Sequence, residues 1–102
     1  MKQNKFTKSA RGQQCTFQIP NVCSHDTDKT MLCHLPDETG TGKMGGKSAD
    51  WCAAFGCHEC HTLIDNQANF LKMFNSEDYL FFIRRAMIRT WRKWIEMELI
   101  KL

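Results

Sequence analysis

CHECHTLID, residues 57–65, sets how the rest of the chain is read. Cys57 and Cys60 form C-x-x-C with Gly56 just before them. That spacing lets two thiolates and the backbone amides between them converge on one tetrahedral ion. His61 follows directly, and HECHTLIDNQ, 58–67, opens a helix with a partial apolar stripe at Leu63 and Ile64 that extends toward Phe70 and Leu71. His61 and Asp65, four residues apart, share one helix face. A histidine and a carboxylate so placed can share a divalent ion, or the carboxylate can orient the imidazole.

Upstream lies a second cysteine pair, Cys15 and Cys23, separated by seven residues that contain the turn signal Pro20-Asn21. Two pairs flanking thirty-three residues are a common layout for a four-cysteine zinc site, and we expect structural zinc at Cys15, Cys23, Cys57 and Cys60. Disulfides are the alternative, although no feature marks the chain as exported. A redox C-x-x-C is the third option, but it lacks a βαβ context. Cys33 and Cys52 fall on predicted strands, where a cysteine packs as a small hydrophobe.

The first predicted strand is TMLCHL, 30–35, with Met31 and Cys33 on one face and Leu32 and His34 on the other. PDETGTGKMGGKSAD, 36–50, holds four glycines and reads as a loop; the second strand is WCAAF, 51–55. His34, beside the knuckle, can stand opposite His61 across a small crevice. A neutral imidazole there can take a proton from water, since its reference pKa is about 6.5. His25 and His58 read as surface residues. Ser76, Glu77 and Asp78 mark a helix start, and the helix is expected over 77–100. Its expected apolar face is Leu80, Ile83, Met87, Trp91, Trp94 and Ile95, with Arg85, Arg89, Arg92 and Lys93 on another face.

With 102 residues the chain has room for one small domain, which often needs a metal, a disulfide or a partner as a staple. It is 42% hydrophobic and 25% charged, too apolar for a disordered chain. No run approaches a membrane span, and the polar, basic opening MKQNKFTKSARGQQ has no apolar leader core. A multidomain machine, a membrane protein and a Rossmann or TIM-barrel enzyme are thereby excluded. Net charge is +3, unevenly spread. Residues 1–14 carry Lys2, Lys5, Lys8 and Arg11 without an acid; residues 84–93 carry four arginines and Lys93, again without one. Residues 1–12 thus read as a basic arm or a short leading helix. A basic arm and a basic stripe fit a polyanion, because Lys and Arg displace phosphate counterions. A solvated helix face explains the same charges.

Taken in order, a cysteine pair, a strand ending in histidine, a glycine-rich loop, a second strand and C-x-x-C-H opening a helix resemble the ββα-metal fold of HNH endonucleases. ARGQQCTFQIPNVC at 10–23, CHL at 33–35, GTGKMGGKSAD at 40–50 and CHECHTLID at 57–65 resemble, more narrowly, the YbcO-like nuclease family of bacteriophages and prophages. The resemblance implies an α+β fold: a ββα-metal core over 13–67, stapled by zinc and covered by a C-terminal helix over 76–100, all in one domain. It implies a metal-dependent endonuclease acting on double-stranded or branched DNA in recombination or DNA processing, in the cytoplasm of a bacterial host. His34 takes the general-base place and His61 the metal-ligand place. Where the family commonly has a metal-binding aspartate before the base, Cys33 stands here, and thiols suit Mg²⁺ poorly. The central asparagine is also replaced; Asp50 is the nearest polar candidate, and Asp65 can give the catalytic ion, Mg²⁺ or another divalent metal, an oxygen ligand. Arg11, Lys47, Arg85 and Arg89 are expected to hold phosphates.

Two other classes remain. A non-catalytic zinc-stabilised DNA-binding or assembly module keeps the staple and the basic stripe but needs neither His34 nor His61. A protein–protein adaptor would use the Trp91/Trp94 face. A long helix with spare aromatics also suits a homodimer.

Overall fold

The computed structural model describes residues 5–35 and 50–101. Nearly all of the glycine-rich segment, with Lys47, lies outside the described residues. In chain order come α1 (Lys5–Ser9), a 3₁₀ turn (Thr27–Lys29), β1 (Met31–His34), β2 (Ala53–Gly56), α2 (His58–Asp65), α3 (Gln67–Met73) and α4 (Ser76–Glu96). The architecture is a small α+β fold with a two-stranded antiparallel sheet and a long C-terminal helix.

β1 and β2 pair with Met31 opposite Gly56, Leu32 opposite Phe55 and His34 opposite Ala53. Alternation along a strand divides the core in two. Cys33 and Ala54 join the four metal-site cysteines, Phe17, Ile19, Ile64, Phe70 and Phe82 on one side. Leu32 and Phe55 join Ala10 and Trp94 on the other. The outer edge of β2 is covered rather than left open. The Thr90 hydroxyl accepts from Phe55 N at 3.0 Å, and Thr16 donates to the Phe55 carbonyl through its backbone N, at 2.8 Å, and its hydroxyl, at 2.7 Å. The outward backbone groups of Phe55 are thereby satisfied by two threonine hydroxyls and one backbone amide.

The helices start where local chemistry meets their orphan amides. In α2 the cap is Cys57, whose sulfur accepts from Cys60 N at 3.4 Å. Asn66 closes α2 and caps α3 by accepting from Asn69 N. The single helix expected to open at 58–67 and extend toward Phe70 and Leu71 is therefore two, with Asn66 between them. α4 begins at Ser76, with Asn75 as its cap. Asn75 Oδ1 accepts from Asp78 N at 2.8 Å and Asp78 Oδ2 accepts from Asn75 N at 3.3 Å, a reciprocal capping box.

α4 ends at Glu96 instead of residue 100, and its buried stripe is Tyr79, Phe82, Ala86, Thr90 and Trp94. Leu80, Trp91 and Ile95, expected in the core, are exposed. After Glu98, in left-handed backbone, the chain folds back: Leu99 N bonds the Trp94 carbonyl at 2.9 Å. Trp94 Nε1 donates to Ser9 Oγ at 2.7 Å, which satisfies the polar edge of a fully buried ring. Phe6 of α1 meets that ring edge-on at 4.8 Å, so the basic arm includes a docked helix.

Candidate metal centre and histidine pairs

Cys15 and Cys23 stand at the two ends of a tight loop. Ile19 O accepts from Val22 N at 3.1 Å and from Cys23 N at 3.0 Å. Pro20 and left-handed Asn21 form the turn between them. Cys57 and Cys60 come from the end of β2 and the first turn of α2. The four sulfurs all lie within 4.8 Å of one another, Cys23 and Cys57 at 3.9 Å. A tetrahedron with metal–sulfur bonds of about 2.3 Å has sulfurs about 3.8 Å apart. All four cysteines are free thiols, so the disulfide alternative is not the arrangement found.

Their ionisation shows the same crowding. A hydrogen bond from Cys60 holds Cys15 down to about 5. That bond and burial push Cys60 far above the ordinary thiol range. Burial pushes Cys23 up to about 11. Several buried thiolates cannot coexist without a cation to balance them. The four cysteines could hold a metal ion, and the all-sulfur donor set is compatible with structural zinc.

Two of the histidines each contact a carboxylate. His34 Nε2 lies 2.8 Å from Asp50 Oδ1, with the His34 side chain 32% exposed. His61 Nε2 lies 2.9 Å from Asp65 Oδ2, and its Nδ1 faces the Met31 sulfur at 3.1 Å. Met31 and His34 occupy opposite ends of β1, and strand alternation directs them to opposite faces. The structure therefore joins His34 and His61 each to a carboxylate of its own.

The basic stripe is partly engaged by the protein itself. Arg85 Nη2 donates to the Phe17 carbonyl at 2.6 Å, and Arg89 Nη1 donates to the Thr16 carbonyl at 3.2 Å. The Arg85 guanidinium also lies over the Phe81 and Phe82 rings, at 5.1 and 5.2 Å. Desolvation, with Arg89 nearby, lowers its pKa from the ordinary value. These two arginines bind α4 to the first cysteine loop. Arg11 is exposed in the turn after α1.

The model of the family described as "Putative nuclease YbcO" matches residues 4–99. The chain belongs to the YbcO family. It is 31% identical over 94 residues to "Putative nuclease YbcO" of Escherichia coli (strain K12), covering 92% of this chain and 94% of that one. The "Putative nuclease ybcO" of Enterobacteria phage 82 gives the same identity and coverage. Among solved structures, a "putative bacteriophage protein" from Escherichia coli str. K-12 substr. MG1655 matches with a TM-score of 0.69 and 25% identity, over 91% of this chain and 99% of that one.

In this YbcO-family chain, sequence reasoning missed the joint of Thr16, Phe55 and Thr90. The two threonine hydroxyls stand 3.2 Å apart, yet no local signal pairs residues 74 positions apart. It also missed the anchoring of Trp91, whose Nε1 donates to the Trp51 carbonyl at 2.9 Å. Among the described residues, no helix is long and apolar enough to cross a membrane.

Proposed function

We propose that the chain is a metal-dependent DNA endonuclease of phage type, with a zinc-stapled ββα core that presents His34 as the general base. The observation that carries this reading is the His34–Asp50 pair at 2.8 Å, part-exposed at the end of β1. A carboxylate on one ring nitrogen fixes the imidazole's orientation and stabilises its protonated form. The other nitrogen can then accept a proton from water attacking a phosphodiester. Zinc at Cys15, Cys23, Cys57 and Cys60 supplies folding free energy. His61 and Asp65, a nitrogen and an oxygen donor, would hold a divalent ion such as Mg²⁺, which supplies positive charge for the phosphorane. Arg11 and Lys47, and the donors of Arg85 and Arg89 left over from their backbone bonds, are the phosphate contacts in this reading. The substrate is double-stranded or branched DNA and the setting a bacterial cytoplasm, in recombination or DNA processing. The relatives' names, which both carry the word nuclease, support the reaction class.

The test is nicking of supercoiled plasmid at low salt with Mg²⁺ or Mn²⁺. His34→Ala should lower cutting by about 10²-fold or more, and Asp50→Asn should also lower it, with zinc content and melting temperature unchanged. Unchanged cutting by clean His34→Ala protein removes the assignment. A second reading is a non-catalytic zinc-stabilised DNA-binding or assembly module. The four-cysteine cluster serves it equally, since it needs neither histidine, and gel retardation without nicking would establish it.

A further inference from the structure

Two of the three tryptophans stand outside the core. Trp94 is fully buried, whereas Trp51 and Trp91 are 46% and 36% exposed. An exposed indole usually needs a reason, since large aromatics contribute most when covered. Trp91 is held in place, because its Nε1 donates to the Trp51 carbonyl. Trp51 in turn follows Asp50, the residue paired with His34. The Trp51 backbone that anchors Trp91 is therefore one residue from the candidate catalytic pair, and the Trp91 indole has its polar atom already satisfied.

The surrounding charge is of one sign. Between Asp78 and Glu96, α4 carries Arg84, Arg85, Arg89, Arg92 and Lys93 and no carboxylate. Ile88 and Ile95, exposed at helical spacing from Trp91, share its face with Arg84, one turn before Ile88. On the adjoining side of α4, Arg89, Arg92 and Lys93 line a groove of about 290 Å³ whose other wall includes Gly12, Gln14 and Gln18. None of the groove's lining residues is acidic, although Lys93 also reaches Glu96 at 3.4 Å. A second copy of the chain would bring the same cations against these, which disfavours self-association through this face. A partner with flat aromatic faces and a regular anionic backbone suits both features.

We propose that Trp51 and Trp91 form a stacking platform for unpaired nucleobases, with the strand's phosphates running over Arg92 toward the groove. Bases inside a continuous duplex are stacked on each other and cannot offer a face to an indole. The preferred substrate is therefore the unpaired segment of a branched molecule, for which a free single strand is the simplest probe. This rests on the nucleic-acid part of the nuclease reading and narrows its substrate class.

The experiment uses full-length His34→Ala protein, or the wild type without added divalent ion if that variant fails to fold. Each is titrated with a labelled single strand of mixed sequence and with a duplex of the same sequence. Intrinsic tryptophan fluorescence and anisotropy of the label are recorded. Buried Trp94 provides a constant background. The single strand should quench the fluorescence and bind about tenfold or more tighter than the duplex. Trp51→Leu and Trp91→Leu should each weaken single-strand binding by roughly tenfold, with an unchanged circular dichroism melt, and Trp51→Phe should retain most of the affinity. Equal affinity for duplex, or binding without quenching, overturns the proposal. So does a wild-type dimer that the leucine variants dissociate while DNA affinity stays constant; the face is then an interface between two copies. Quenching by a wild-type protein that never cuts DNA removes only the nuclease reading. Cutting without quenching removes only this one.

Discussion

A Cβ on Gly56 would stand 2.6 Å from Cys33 Sγ and 2.9 Å from Phe17 Cε2. Both neighbours are fully buried, so neither can swing into solvent. Gly56→Ala should destabilise the fold by about 1–3 kcal/mol through overpacking. Urea denaturation checks this, and adding Cys33→Ala should restore part of the loss, since it removes the closer of the two contacts. Full stability in the single variant would show that the strand pairing is looser than described. At this scale the metal cysteines were legible in the sequence, because C-x-x-C and a cysteine pair around a proline turn constrain geometry locally. Thr90 was not. A threonine inside a helix among arginines reads as solvated, and only the distant Phe55 amide and Thr16 hydroxyl give it a buried role. The backbone contacts of Arg85 and Arg89 were hidden for the same reason: their acceptors, the Phe17 and Thr16 carbonyls, lie about seventy residues away in sequence.

α4 depends on its first turn. Asn75 and Asp78 satisfy two amides that would otherwise face only water, and Glu77 and Asp78 suit the positive end of the helix dipole. Asn75→Ala should cost about 1 kcal/mol, read as a lower melting temperature with helical content retained. The existence of α4 was plain from the sequence, but its rotation was not. Leu80, Phe81, Phe82 and Ile83 are consecutive apolar residues, and Met87 with Ile88 repeats the ambiguity one turn later. More than one stripe therefore satisfies helical periodicity. The partners choose between them: Phe82 packs against Phe70 and Phe74, and the Tyr79 hydroxyl reaches the Ile64 carbonyl at 3.0 Å. The short strands were placed with the correct face assignment but with boundaries one or two residues off. The pairing of β1 with β2, which no local pattern records, sets where they begin.

Across the whole molecule, the thiols tie acidity to stability. In chelator-treated, reduced protein, Cys15 titrates near 5 in the fold against an ordinary 9.0. It is ionised in the folded chain over a range where the unfolded chain still binds the proton, so stability should rise from about pH 5 toward pH 9. Above pH 9 the sign reverses, because Cys23, pushed up to about 11, keeps its proton in the fold after the unfolded chain has lost it. Melting temperature against pH should therefore show a maximum near pH 9. A monotonic rise beyond it, or no slope below it, would contradict the thiol assignment. The four cysteines were readable because each pair rests on short-range spacing, and the α+β fold because the ordered blocks resemble a known family. The division of the core by the sheet, and the contact of His34 with Asp50, needed the assembled molecule.

Trp94 carries a topological consequence. Phe6 rests on one side of its ring, and Leu99 and Ile100 pack into the same cluster. The two extremities of the described chain are thus neighbours, so a short peptide could splice them together. The polypeptide could then be reopened at another surface junction, and the same two cores would form from a circularly rearranged order of elements.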